Sequence, residues 1–277
     1  MFGMTESDGY LLGRASSELD RLRIQAEIYA PHTEHLLTLA GVGPGQRVLD
    51  IGCGAGDVTM IAARLVGPTG SVLGVDLDAD VLDLARTRAA EAGLDNVAFQ
   101  RATLPDLALA EPVDALIGRL ILIHLADPVD AVRTLSALVR PGGLVSFQEL
   151  SPTHARSEPE TPLVTQAYRW VTETLRARGR DRPVGEGLRR ILRDAGFGRI
   201  GAAMAVHTGD TQSRLPDFVA GTVNSLLPAI EAAGVATRAE IGIETLAERI
   251  IAELEEFDAL LWPPELIGVW ARVPERW

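Results

Sequence analysis

Val48-Leu49-Asp50-Ile51-Gly52-Cys53-Gly54-Ala55-Gly56-Asp57 is the stretch on which the reading of this chain turns. An apolar run ends in glycines at alternate positions, and a helical pattern over 57–65 follows. A buried strand therefore enters a tight turn that opens a helix. Glycine permits the backbone angles of such a turn and lets a ligand approach the main chain, while the first N–H groups of the helix stay free to bind it. The spacing is Gly-x-Gly-x-Gly. The dinucleotide pattern Gly-x-Gly-x-x-Gly would need its third glycine at position 57, which holds Asp. Carboxylates at Asp50 and Asp57 flank the turn; they repel a pyrophosphate but suit a ligand carrying a cationic amino group and a sulfonium. An ordinary strand-to-helix turn is the plain alternative, and the register of the elements that follow argues against it.

Outward from this turn, short apolar runs alternate with helical stretches. Strands are expected at 47–51, 71–75, 97–100, 115–117 and 144–148, with helices at 57–65, 79–92 and 128–139. This alternation predicts an α/β fold with a doubly wound, mostly parallel sheet. Residues 200–207 and 266–273, a hairpin-like pair, bring the strand count to seven. Residues 11–40 read as helical, with Leu19, Leu22, Ala26 and Tyr29 on one face and Leu36, Leu37 and Leu39 after Pro31. Beyond Leu150, residues 151–160 form a polar linker, and helices follow at 163–176 and 185–195. The stretches 218–233, interrupted by Pro228, and 241–257, apolar at 243, 246, 250, 254 and 257, read as an inserted helical cap over the carboxyl edge of the sheet. The expected organisation is an N-terminal helical segment (1–40), a ligand-binding core (41–150) and a third part (151–277) that completes the sheet and carries the cap at about 210–260.

The second informative element is Gly74-Val75-Asp76-Leu77-Asp78. Asp76 lies 20 residues beyond Gly56, the separation at which an acidic side chain meets a ribose, and its oxygens can accept from both ribose hydroxyls. The competing role for Asp76 is a helix N-cap, which Asp78 or Asp80 could fill equally well.

With these motifs in place, the chain resembles the class I, Rossmann-like S-adenosylmethionine-dependent methyltransferases, in particular their ubiquinone-biosynthesis-like, small-molecule branch. The resemblance spans residues 43–150 and takes in Gly67-Pro68-Thr69-Gly70, Val75-Asp76-Leu77-Asp78, Asp114…Gly118-Arg119…His124 and Leu138-Val139-Arg140-Pro141-Gly142-Gly143. Tyr10…Arg21-Leu22…Gln25 is similar to the N-terminal lid helix of that branch, which closes over the methionine end of the cofactor. The resemblance implies S-adenosylmethionine as cofactor, S-adenosylhomocysteine as product, and in-line methyl transfer without a metal. Carried over by position, Asp50, Gly52, Gly54 and Gly56 would hold the methionine moiety, with Arg119, Arg21 and Gln25 contributing to the same cofactor site. Asp76 would hold the ribose and Leu77 would pack on the adenine. Where the family commonly has an Asp for the adenine amine, this chain has Thr103, so adenine recognition would rest more on the backbone of Thr103 and Leu104. Gly118-Arg119-Leu120-Ile121-Leu122-Ile123-His124 is similar in register to the Ser-Arg-x-x-x-x-His stretch of phosphoethanolamine methyltransferases, whose His works with an N-terminal Tyr. That parallel names His124 as general base and Tyr10 as its partner from the lid. The Asn/Asp-Pro-Pro-Tyr segment of enzymes that methylate amides and exocyclic amines does not occur here.

Composition narrows the partners. The net charge is −12, and all 26 basic residues are Arg. An acidic surface repels phosphate backbones and anionic membranes, so neither nucleic acid nor membrane is expected as a partner. Without Lys there is no Walker A loop, Schiff base or lysine nucleophile. Cys53 is the sole cysteine, which excludes an internal disulfide and a multi-cysteine zinc site. No basic-then-apolar leader is read at 1–10, and the apolar run 115–125 is short and broken by Arg119; a cytoplasmic location is the expectation. His32 and His35 read as surface-helix residues rather than metal ligands, and 253–256 as a solvated acidic face. Tyr168, Trp170 and Trp262 are candidates to line the acceptor pocket. The expected acceptor is a small hydrophobic metabolite of the quinone, terpenoid, alkaloid or polyketide kind, methylated on oxygen, carbon or nitrogen. The rivals are a protein of the same fold that uses the cofactor for a non-methylating reaction such as a cyclisation, and a nicotinamide-dependent oxidoreductase. A homo-oligomer stays open.

Overall fold

The structure is a computed structural model, and it describes residues 16–104, 107–179 and 184–275. Tyr10 lies outside these residues. Five strands follow the expected alternation: β1 (Arg47–Ile51), β2 (Ser71–Asp76), β3 (Val97–Arg101), β4 (Val113–Arg119) and β5 (Val139–Ser151). Their helices are α1 (Ser16–Ala40) ahead of β1, α2 (Asp57–Val66), α3 (Ala79–Glu91) and α4 (Pro128–Ser136). Next come β6 (Arg156–Glu158), α5 (Pro162–Ala177), α6 (Val184–Asp194) and β7 (Ile200–Ala205). The chain ends with α7 (Leu215–Ala232), α8 (Arg238–Ile241), α9 (Leu246–Glu256), β8 (Leu260–Trp262) and β9 (Glu265–Arg272). The main sheet has seven strands in the order β3-β2-β1-β4-β5-β9-β7. The first five run parallel, and β9 is antiparallel to both of its neighbours. This is the doubly wound, mostly parallel sheet the alternation predicts, and its strand order reverses beside β1, where open α/β sheets bind ligands at the carboxyl ends of the strands.

Local chemistry sets the element ends. Asp127 accepts from the N–H of Asp130 to cap α4, with Pro128 in the first turn. Asp78 accepts from Asp80 and Val81 to cap α3, so the cap role weighed for Asp76 falls to Asp78. The interior strands are buried on both faces, which is why they read as unbroken apolar runs. On one face Leu37 of α1 and Val58 and Ile61 of α2 meet Val48, Val72 and Ile117. On the other, Leu135 of α4 and Leu188 and Leu192 of α6 meet Leu49, Leu116 and Phe147. A third cluster joins Ile24 and Ile28 of α1 to Val164 of α5, Val223 of α7 and Ile250 of α9, and reaches the start of β9 through Leu266. The inserted helices are thus fused to the N-terminal half of α1.

Several local expectations change. The linker at 151–160 contains β6, which pairs with β8 in a separate two-stranded sheet. Pro228 lies inside a continuous helix rather than interrupting it, as Pro31 does within α1. The helix expected at 241–257 breaks instead at Gly242, which is left-handed at φ 61° and closes α8. Leu246, Ile250 and Leu254 are buried as expected, but Phe257 is 41% exposed, because the helix ends at Glu256 before its last turn would point that ring inward. Glu253 is not a solvated bystander: its carboxylate accepts the backbone N–H groups of Leu163 and Val164 and so caps α5 from another element. Among the described residues no helix is long and apolar enough to cross a membrane.

Candidate active site

The glycine turn closes the carboxyl end of β1 with three left-handed residues, Gly52 at φ 64°, Gly54 at 51° and Gly56 at 83°. A side chain at Gly52 would strike Ile121, whose Cδ1 would lie 2.5 Å from its Cβ. A Cβ on Gly54, by contrast, would meet nothing within 4 Å. That open side of the main chain is where a ligand can be cradled. The Gly54 N–H donates to Asp76 Oδ2 at 2.9 Å and the Asp78 N–H to Asp76 Oδ1 at 3.1 Å. One carboxylate thus joins the turn after β1 to the end of β2, with lone pairs to spare for two further donors. Leu77 follows at the rim, half-buried, and the Arg101 guanidinium donates to its carbonyl. The Ala102 N–H bonds the Asp76 carbonyl at 3.0 Å, which brings Thr103 and Leu104 alongside. Asp50, Gly52, Gly54, Gly56, Asp76, Leu77, Thr103 and Leu104 therefore share one edge of the sheet.

The two acidic residues read as flanking charges behave differently from that expectation. Asp57 pairs with Arg88 of α3 at 2.6 Å, and Arg88 also donates to the Ala55 carbonyl; this carboxylate braces the turn. Asp50 is buried, accepts the Thr59 hydroxyl at 2.6 Å, and is pushed up to about 7 by burial against the opposing pull of that hydrogen bond and of Arg119. The adjacent Cys53 thiol is pushed up by burial and by Asp50, so it is no nucleophile.

Arg119, half-buried at the end of β4, donates to the Thr33 hydroxyl of α1 at 2.9 Å. Its register partner on β5, Gln148, is buried and donates weakly to the Thr33 carbonyl at 3.4 Å, which leaves Gln148 Oε1 without a partner. Thr33, fully buried, therefore ties α1 to both strands. Arg21 and Gln25 lie farther along α1, joined by an Arg21–Gln25 hydrogen bond of 2.8 Å, with Arg21 packed on Gly221 of α7. Arg21 thereby links α1 to the inserted helices.

After β4 the chain reverses sharply. Leu120 adopts φ 56°, a left-handed conformation that costs a non-glycine residue about 1–2 kcal/mol. Its N–H is held by the Gln148 carbonyl at 2.9 Å. A single 3-10 turn, Leu122–His124, follows and carries half-buried His124 at its end. Buried Glu149 accepts the Leu122 N–H at 2.8 Å.

Toward the inserted helices, the Tyr29 hydroxyl donates to the Pro264 carbonyl at 2.7 Å and that of Tyr168 to the Trp262 carbonyl at 3.4 Å. Burial raises both phenols well above their ordinary value, which keeps them protonated donors. Trp262 lies half-buried beneath the Arg156 guanidinium, 4.2 Å from its ring centre, with its indole N–H unpartnered. Trp170, by contrast, is buried in the helical core. His32 is no simple surface residue: its Nε2 lies 2.6 Å from Nδ1 of His207, while His35 is exposed.

Thr33, Thr59, Gln148, Glu149 and His207 were not singled out from the sequence. The pair Gln148-Glu149 gave one usable signal, two polar residues closing an otherwise apolar strand. The others are joined to their partners only by the folded chain.

Residues 43–192 match the family model described as "Methyltransferase domain". The curated relatives include the ubiquinone/menaquinone biosynthesis C-methyltransferase UbiE of Pseudomonas syringae pv. tomato, 32% identical over 197 residues, which cover 62% of this chain and 75% of the relative. UbiE of Pseudomonas fluorescens is 31% identical over 182 residues, 59% of this chain and 70% of its own. Among solved structures, YcgJ of Bacillus subtilis superposes with a TM-score of 0.55 at 18% identity, covering 88% of this chain and 99% of its own. The [4+2]-cyclase SpnF superposes with a TM-score of 0.53 at 20% identity, covering 99% and 87%. At those identities the structures show a common fold and nothing about the reaction.

Proposed function

The chain belongs to the S-adenosylmethionine-dependent methyltransferases, and from that premise we propose that it methylates a ring carbon of a small, apolar, electron-rich aromatic acceptor of the quinol kind. The observation that carries the cofactor site is the Gly54–Asp76 hydrogen bond beside an open main chain. It sets an acceptor carboxylate where ribose hydroxyls donate and leaves the turn accessible to the methionine end. When bound, the cofactor supplies a sulfonium-activated methyl group that needs no metal.

Asp50, Gly52, Gly54 and Gly56 line the methionine end in this reading, together with Arg119, Arg21 and Gln25. Leu77, Thr103 and Leu104 surround the adenine. The acceptor comes in from the side of the inserted helices, where apolar walls exclude water and hold the ring carbon in line with the methyl group. As the new carbon–carbon bond forms, the ring carbon must lose its proton. His124 takes it, with Tyr10 closing from the lid, since a neutral imidazole is a base near pH 7. Carbon is preferred to oxygen or nitrogen because the curated relatives that match this chain are C-methyltransferases.

The test supplies methyl-labelled S-adenosylmethionine with 1,4-dihydroxynaphthalene, a quinol with vacant ring positions. The expected product is heavier by one methylene, labelled on carbon. A rearranged product of unchanged mass would mean a non-methylating use of the fold, and no turnover of the quinol would remove this acceptor class. His124→Ala should slow the chemical step about 10²-fold with S-adenosylhomocysteine affinity intact. A rate within a few-fold of the parent would mean that positioning alone is sufficient and that His124 is not the base.

A further inference from the structure

We propose that Glu149 is a positioning residue for His124, holding the strained turn that aims the imidazole at the carboxyl edge of the sheet. The inference rests on the reading of His124 given above but draws on different atoms. The connection after β4 is short and strained, so the direction of residue 124 depends on what anchors its backbone. A 3-10 turn of three residues is a short element, closed here by the His124 N–H on the Ile121 carbonyl and the Leu125 N–H on the Leu122 carbonyl, and it follows a left-handed Leu120. Two successive residues of β5 hold it in place. The Gln148 carbonyl accepts from the Leu120 N–H, and the Glu149 side chain accepts from the Leu122 N–H at 2.8 Å. The turn is thus tied to β5 at two points, by a main-chain carbonyl and by a buried carboxyl one residue later.

Glu149 is 1% exposed, so no solvent competes for these donors, and a buried acceptor of this kind is expensive to keep unless it does something. It faces α4 and α6 together with Phe147, whereas its neighbour Gln148 faces α1. Adjacent positions of one strand thus divide the labour: Gln148 and Arg119 meet Thr33 of α1, and Glu149 sets the turn that carries His124. In this reading the carboxyl is not itself a catalytic group. It acts through the backbone of Leu122.

The test needs no acceptor. The chain has five histidines, so selective ring labelling gives a short imidazole spectrum in which His124 is assigned by its disappearance in His124→Ala. Glu149→Leu removes the acceptor oxygens at similar size; Glu149→Gln keeps one. With S-adenosylhomocysteine bound throughout, Glu149→Leu is expected to move the His124 ring signals and its titration midpoint while the other histidines keep theirs. Glu149→Gln should return most of the shift, and the Leu122 amide should exchange faster only in the Leu variant. A residue that merely filled space would lower the melting temperature of both variants without touching the His124 signals selectively. His124 signals superimposable on those of the parent in Glu149→Leu, or in Glu149→Gln if the Leu variant does not fold, would overturn the proposal. That outcome is separate from the turnover of His124→Ala, which decides whether the imidazole is the base.

Discussion

The Thr59 hydroxyl donates to the Asp50 carboxyl at 2.6 Å, across the turn from the strand that carries one to the helix that carries the other. Burial holds Asp50 up to about 7 from an ordinary 3.8, and Glu149 up to about 8 from 4.5. In the window between each pair of values the native chain keeps a proton that the unfolded chain has lost. Stability from these groups is therefore complete below about pH 4 and declines as pH rises toward 8. Denaturation midpoints measured from pH 5 to 8 should fall in the parent, and Asp50→Asn should flatten the curve. An Asp50→Asn curve parallel to that of the parent would show that Asp50 ionises normally. Thr59→Val should cost about 1–3 kcal/mol, since it leaves a buried acceptor unpaired.

Asp76 is expected to matter twice. Its oxygens already hold Gly54 and Asp78, so Asp76→Ala loosens the turn as well as removing the ribose acceptor. Calorimetry should show S-adenosylhomocysteine binding weakened by about 1.5–3 kcal/mol, the range for a hydrogen bond to a charged group. Asp76→Asn, which keeps one acceptor oxygen, should lose less. Unchanged affinity in Asp76→Ala would remove the ribose assignment, and measurable binding of a nicotinamide dinucleotide would reopen the reading of the loop.

The core was legible because its signals are local. Gly52, Gly54 and Gly56 announce a left-handed turn wherever they fall after an apolar strand, and Asp76 sits at a fixed chain distance from them. What could not be read is what depends on the third dimension. Asp57 looks like a free charge until Arg88, 31 residues later, folds against it. Glu253 looks solvated until the N-terminus of α5 arrives, 90 residues away in sequence from its donors. Pro228 looked like a break, yet α7 continues through it because packing on the third cluster outweighs one missing hydrogen bond. The roles of Arg21 and Gln25 rest on family resemblance; the fold shows the two joined along α1 and Arg21 packed on Gly221 of α7.

Trp170 and Trp262, equivalent as aromatic candidates in sequence, should separate cleanly on mutation. Trp170 is 7% exposed in the apolar cluster of α1, α5, α7 and α9. Trp170→Ala should cost about 3–5 kcal/mol of stability, the usual range for emptying an aromatic site in a core. Trp262 is half-buried with an unpartnered N–H. Trp262→Ala should leave the melting temperature and S-adenosylhomocysteine affinity nearly unchanged while raising the KM of a quinol acceptor. Loss of cofactor affinity in Trp262→Ala would place this residue with the cofactor instead.

The His32–His207 contact predicts a pH effect of the opposite sign to that of Asp50. Two imidazoles 2.6 Å apart can share one proton but resist carrying two charges, and exposed His35 adds a third imidazole on the same helix. Burial lowers both partners from 6.5, and His207 and His35 lower His32 further. A lowered native value means that the unfolded chain binds protons first. The stabilising contribution of the pair is present above about pH 6.5 and is lost as pH falls through the lowered values. Because the pair joins α1 to the segment after β7, the loss should be felt where α1 docks. Amide exchange in the middle of α1 should quicken between pH 7 and 5 relative to exchange in β1, after correction for the intrinsic rate. His207→Asn, which can still accept or donate but cannot charge, should blunt that acid response and leave the decline above pH 5 assigned to Asp50 in place. If exchange in α1 keeps its ratio to β1 across this range in the parent, the two imidazoles are not coupled to the seating of the helix.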